Sequence, residues 1–103
     1  MAFTGDEAEE FPLEKAAKWT NNYRTANPDQ VKAHFFGNRI IEKILAQPDC
    51  VGIRCYHALD HQGTPQLIIV GADANENDLY EGIIAEVARP CPPYSSTPNP
   101  LNS

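Results

Sequence analysis

The sequence predicts an α+β domain in which two N-terminal helices pack on a small antiparallel sheet. Three observations point there. Apolar residues recur at helical spacing between Leu13 and Tyr23 and again between Phe36 and Leu45. Residues 51–59 and 66–72 are strand-like runs on either side of a turn-rich linker, the pattern of a β-hairpin. Residues 83–88 then offer a third strand, which a sheet this small needs because two strands alone are marginal.

The elements follow in chain order. Residues 1–10 carry four acids and no base and read as a flexible acidic leader. Pro12 suits the first turn of a helix, where a missing N–H costs nothing. Leu13, Ala16, Ala17, Thr20 and Tyr23 then form a stripe, so a first helix is expected at about 12–24 with Trp19 half-buried beside it. Asn27, Pro28 and Gln30 make a capping-box pattern for a second helix, and Pro48 stops that helix near Gln47. Phe36, Ile40 and Ile44, widened by Ile41 and Leu45, give it an apolar face. Gly37 falls inside this span at a cost of about 1 kcal/mol relative to Ala.

In the hairpin, Val51, Ile53, Cys55, His57 and Leu59 share one face, while Arg54 and Tyr56 point the other way. The second strand is apolar on both faces, with Leu67 and Ile69 on one side and Ile68 and Val70 on the other. Such a strand needs cover on both sides. Helices supply one cover in a chain this short, so a second subunit is the economical source of the other. Ile68, Val70, Arg54 and Tyr56 are therefore the expected interaction residues. Pro65 belongs at the start of strand two. After Asp73 comes a polar loop. Asp78 and Glu81 form another capping box, so a short helix competes with the strand at 83–88. Five of the last fourteen residues are proline, and 90–103 reads as an extended or disordered tail after a single domain at 11–89.

Length and charge exclude several classes. A chain of 103 residues makes one domain with a thin core. No apolar run approaches the ~20 residues of a membrane helix. The acidic N-terminus lacks a basic n-region, so no secretory signal is read and a cytoplasmic location is expected. The net charge is −6, and the bases concentrate at 11–47, where six face three acids. With a pI near 4.8 and no dense Lys/Arg cluster, nucleic acid is not an expected partner. Cys50, Cys55 and Cys91 form an odd set, read as reduced, at least partly buried thiols.

Three constellations of residues offer chemistry. Cys55, His57 and His61 are soft or borderline ligands close together on the hairpin, but zinc requires three or four converging donors, and Cys55 lies among core residues. A cysteine nucleophile, Cys55 or Cys91 beside His34 or His57, would need its pKa lowered by a neighbour, which no spacing guarantees. Asp73, Asn75 and Asn77 present oxygens at alternate positions as calcium loops do, yet Asp78 stands where the turn glycine belongs and Ile84 where the bidentate Glu belongs. A turn built on Asx hydrogen bonds explains the same residues. No P-loop, dinucleotide fingerprint, nucleophile elbow or HExxH is present. No cofactor is expected.

Ala17-Lys-Trp-Thr-Asn-Asn-Tyr-Arg24, Ala33-His-Phe-Phe-Gly37, Cys50-Val-Gly-Ile-Arg54, Gly71-Ala-Asp-Ala-Asn75 and Pro90-Cys-Pro-Pro-Tyr94 resemble a family of small uncharacterised bacterial proteins. The resemblance spans residues 15–95. It implies a second cysteine directly after the Cys-Pro-Pro-Tyr stretch, where this chain has Ser95, so half of any Cys-x-x-x-Cys pair is missing. It transfers no activity. The expected function is a small non-catalytic interaction module that self-associates as a dimer. The alternative is a small enzyme or a ligand- or metal-binding protein using Cys55 and His57.

Overall fold

A computed structural model describes residues 2–102. Its elements are α1 (Leu13–Ala26), β1 (Ala33–Phe35), α2 (Asn38–Leu45), β2 (Gly52–Leu59), β3 (Pro65–Ala72), β4 (Ile84–Ala85) and β5 (Arg89–Cys91). The architecture is mixed α+β with two antiparallel sheets, β1-β5 and β2-β3-β4. The chain divides into two units. One holds the segment up to Ala8 together with Phe36–Ala88, and the other holds Glu9–Phe35 and the chain from Arg89 onward.

In the first unit the hairpin pairs in full register, from Gly52 opposite Ala72 to Leu59 opposite Pro65. Asp60 makes the turn. Its Oδ1 accepts the N–H groups of Gln62 and Thr64, both at 2.9 Å, and Gly63 supplies a φ of 80°. The core lies on the face that carries Ile53, Ile69 and Gly71. Ile44 of α2 is fully buried there against Ile69 and Ala85, with Phe36, Ile40, Ile41, Ile53 and Ile83 packed around them. Gly71 permits this approach. A Cβ at that position would lie 2.9 Å from Cys50 Sγ and 3.3 Å from Ile44 Cγ2. Gln47 fastens the end of α2 with both halves of its amide: Nε2 donates to the Ile44 carbonyl and Oε1 accepts the Ile83 N–H, each at 2.9 Å.

The second helix differs from expectation. The capping-box reading placed its start at Asn27, but α2 begins at Asn38 with Gly37 as its N-cap. Asn27 instead closes α1: its backbone N–H bonds to the Tyr23 carbonyl at 2.8 Å and its side-chain amide reaches the same oxygen at 3.2 Å. Asn suits either end of a helix, so the local pattern was ambiguous. The following residues gain a strand partner instead, and β1 pairs with β5, Ala33 opposite Cys91 and Phe35 opposite Arg89. The third strand expected at 83–88 shrinks to Ile84–Ala85, opposite Val70 and Ile69. Val87 takes a φ of 66°, and the Glu86 carboxylate captures the N–H groups of Val87 and Ala88, so the chain leaves the ladder there.

The second unit contains α1, the β1-β5 ribbon and the proline-rich segment. α1 runs slightly longer than the expected 12–24 and buries no residue fully. Trp19, expected half-buried, is 63% exposed and packs against Phe11 with ring centres 4.6 Å apart and the rings tilted by 48°. The stretch from residue 90, expected to be extended or disordered, supplies β5 and then a loop knit by amides. Asn99 Oδ1 accepts the Leu101 N–H and Asn102 Oδ1 accepts the Asn99 N–H, both at 2.8 Å. Arg24 donates to the Leu101 carbonyl. α2 packs on the hairpin within the first unit, and α1 belongs to the second unit.

Candidate functional site

The chemistry-bearing residues of the hairpin fall on two faces, and the length of α2 decides what happens on one of them. Eight residues of helix span about 12 Å, whereas eight residues of strand span about 27 Å. The helix therefore covers the end of the hairpin at Ile53 and Ile69 and leaves the turn end bare. Cys55, His57 and Leu59, on the same face, are exposed, Leu59 at 72%. This corrects the reading of Cys55 as a core thiol, because the helix that would bury it starts ten residues later than the sequence suggested. His61 is exposed in the turn. Among the described residues, no three His, Cys, Asp or Glu side chains are placed to hold a metal ion.

The opposite face carries Arg54, Tyr56, Ile68 and Val70, the residues expected to meet a partner. Here the chain closes on itself. The Asp73–Asp78 loop folds as an Asx turn, with Asp73 Oδ1 accepting the N–H groups of Asn75 at 2.9 Å and Asn77 at 3.0 Å. That turn delivers Asp78 to the sheet. Arg54 Nη1 donates to Asp78 Oδ1 at 2.5 Å and to the Glu76 carbonyl at 3.2 Å, and the Tyr56 hydroxyl donates to Asp78 Oδ2. The Arg54 guanidinium also lies over the Phe3 ring, 5.4 Å from its centroid. Val70 is only 3% exposed, covered by its own chain, so it is not open to a partner as expected. Ile68 is half-buried and Tyr56 is 46% exposed, so the face opens toward the turn.

The electrostatics of this cluster follow from its hydrogen bonds. The Tyr56 hydroxyl, and next Arg54, hold the Asp78 carboxyl below the usual carboxylate range. Asp78 in turn raises Tyr56 above the usual phenol range and raises Arg54. Asp78 lies more than twenty residues from both of its partners, and its loop reads in sequence only as polar, so no local signal announced the cluster.

Beside β2 runs a groove of about 450 Å³ between the strand and the N-terminal segment, lined by Phe3, Glu7 and Ala8 on one side and Val51–Cys55 on the other. The segment is tied to the rest of the unit at Phe3 and folded on itself at Glu7. The Phe3 N–H bonds to the Ala74 carbonyl at 2.9 Å, and the Glu7 carboxylate accepts the Thr4 and Gly5 N–H groups at 2.8 and 2.9 Å. The Thr4 N–H, first among these bonds, lowers the Glu7 pKa. Gly5 has a φ of 96°, and a Cβ there would press to 3.2 Å on the Val51 carbonyl. Among the described residues, no backbone hydrogen bond joins this segment to Gly52–Leu59. β2 is an outer strand of its sheet, and Gly52–Cys55 of it line the groove.

In the second unit, Cys91 is buried and its Sγ lies 2.8 Å from Ser95 Oγ. His34 is half-buried in β1 of the second unit, and Cys55 belongs to the first. No helix among the described residues is long and apolar enough to cross a membrane. No protein-family model, curated protein or solved structure matches the chain.

Proposed function

We propose that the protein is a small interaction module that self-associates by pairing the outer edge of β2 with the same strand of a second copy. The observation that carries this reading is the edge itself. Gly52–Leu59 is eight residues long, contains no proline and no lysine, and has Arg54 as its one formally charged residue. Natural sheet edges are commonly blunted by shortness, charge or proline, because an open edge recruits further strands. The other edge of this sheet shows that protection: β4 has two residues and ends at the positive φ of Val87. A two-fold antiparallel pairing is isologous, so one surface serves both copies. Exposed Leu59, Tyr56 and half-buried Ile68 lie beside the edge and supply apolar surface to an added strand. The net charge of −6 disfavours nucleic acid as the partner.

Sedimentation equilibrium from low to high micromolar concentration tests the proposal, with a Cys55→Lys variant as the control. The wild type forms a dimer, and the variant, whose exposed position accepts a lysine in the monomer, sediments as a monomer with an unchanged circular dichroism spectrum. Amide exchange in the wild type slows along 52–59 as concentration rises. A wild type that remains monomeric throughout, or a dimer indifferent to Cys55→Lys with no added protection on β2, overturns the reading.

A further inference from the structure

The β2 edge is not bare along its whole length. The groove beside it takes Val51 through Cys55 without a gap. Successive residues of a strand point to opposite faces, so a groove lined by an unbroken run of residues follows the edge and not a face. β3 holds the other edge of β2, and the wall across this one is the segment Phe3–Ala8. Strands pair about 4.8 Å apart, so a strand added along Gly52–Cys55 enters the space between this segment and β2.

The segment crowds the edge without pairing with it. Its donors are satisfied elsewhere: the Phe3 N–H bonds to the Ala74 carbonyl, and the Thr4 and Gly5 N–H groups bond to the Glu7 carboxylate. Gly5, at a φ of 96°, comes so close that a Cβ would lie 3.2 Å from the Val51 carbonyl oxygen. In a two-fold antiparallel pairing of Gly52–Leu59, Gly52 of one copy faces Leu59 of the other. The partner's turn then arrives at Val51, where Gly5 stands. That turn opens with an acid, Asp60, and the segment carries Asp6 and Glu7, so the two repel and do not clasp. The attachment of the segment is light. Half-buried Phe3 anchors it, through its N–H and its ring beneath the Arg54 guanidinium, while Thr4–Ala8 are exposed. Segments with so few buried contacts open at the low end of a protein's stability range.

We propose that Phe3–Ala8 is a displaceable cover over the Gly52–Cys55 half of the edge, docked in the monomer and released when the strand of a second copy takes its place. The cover regulates the self-association proposed above and rests on that reading.

Two substitutions in the full chain test it without altering its charge. Phe3→Ala removes the anchor, and Gly5→Ala puts a side chain at a positive φ and against the Val51 carbonyl. A cover closed in about two molecules of three lowers the affinity of the dimer about ninefold, because both copies must open. Each variant therefore dimerises more tightly than wild type in sedimentation equilibrium, by up to about ninefold, with an unchanged circular dichroism spectrum, and adding Cys55→Lys abolishes the dimer. In isotope-labelled wild type, the NMR shifts of residues 3–8 move, as concentration rises, toward those of a free peptide spanning residues 1–10. A dimer in which residues 3–8 keep their monomer shifts, or whose affinity is unchanged or weakened in both variants, overturns the cover and leaves the edge pairing standing. Absence of a dimer from wild type and from both variants overturns the edge pairing itself, and the cover with it.

Discussion

Replacing Ile44 with Ala removes the one large side chain that is fully buried among the described residues. The substitution deletes three carbons, worth about 2.4 kcal/mol at ~0.8 kcal/mol for each buried methylene. A cavity term adds to this to the extent that the walls fail to collapse. Ile69 and Ala85 are themselves buried and anchored in β3 and β4, so their side of the cavity is rigid. The α2 side is pinned at its end by the Gln47 amide. The expected loss is therefore about 3–4 kcal/mol, inside the range of roughly 2–5 measured for such truncations. Domains of this size have total stabilities of roughly 5–15 kcal/mol, so a large fraction disappears. Ile44→Val, one methylene smaller, loses about 1 kcal/mol. Urea denaturation followed by circular dichroism gives both values, and amide exchange along β3 assigns the loss to the first unit. A loss under about 1 kcal/mol for Ile44→Ala would mean that Ile44 is not the keystone of the α2–hairpin contact, and would refute the packing argument.

Three further outcomes follow from the same structure. Gln47→Ala removes a donor to the Ile44 carbonyl and the acceptor of the Ile83 N–H, and lowers stability by about 1–3 kcal/mol in thermal or urea denaturation; Gln47→Glu, which cannot donate to the carbonyl, fails to restore it. Asp78 has a folded-state pKa below its ordinary 3.8, so its contribution is fully present above pH 3.8 and is lost as pH falls through the lower folded value; Tyr56, raised above 10.0, contributes fully below pH 10.0 and loses that contribution as pH rises through its folded value. The melting temperature therefore declines at both extremes, Asp78→Asn flattens the acid limb and Tyr56→Phe the alkaline one, as scanning calorimetry across pH can check. A chromogenic thiol reagent on the native protein reacts first with exposed Cys55, more slowly with half-buried Cys50 and last with buried Cys91; equal rates for all three would contradict this order.

What the sequence determined by itself is the local part of the fold. The hairpin was legible because its signals are short-ranged: alternation in β2, an apolar run in β3, Asp60 and Gly63 in the turn, and Pro65 opening the second strand. The first helix was legible from its stripe and Pro12. Tertiary structure decided the rest, because the deciding partners are far away in the chain. Asn27 and Pro28 look like the start of a helix until β5, more than fifty residues later, offers β1 a ladder. Cys55 belongs to a buried face by parity, yet is exposed because α2 is too short to reach it. Asp78 reads as one more acid in a polar loop until the Asx turn at Asp73 delivers it to Arg54 and Tyr56. Periodicity and caps act over a few residues, whereas cover, exposure and the company a charge keeps depend on contacts that no local pattern encodes.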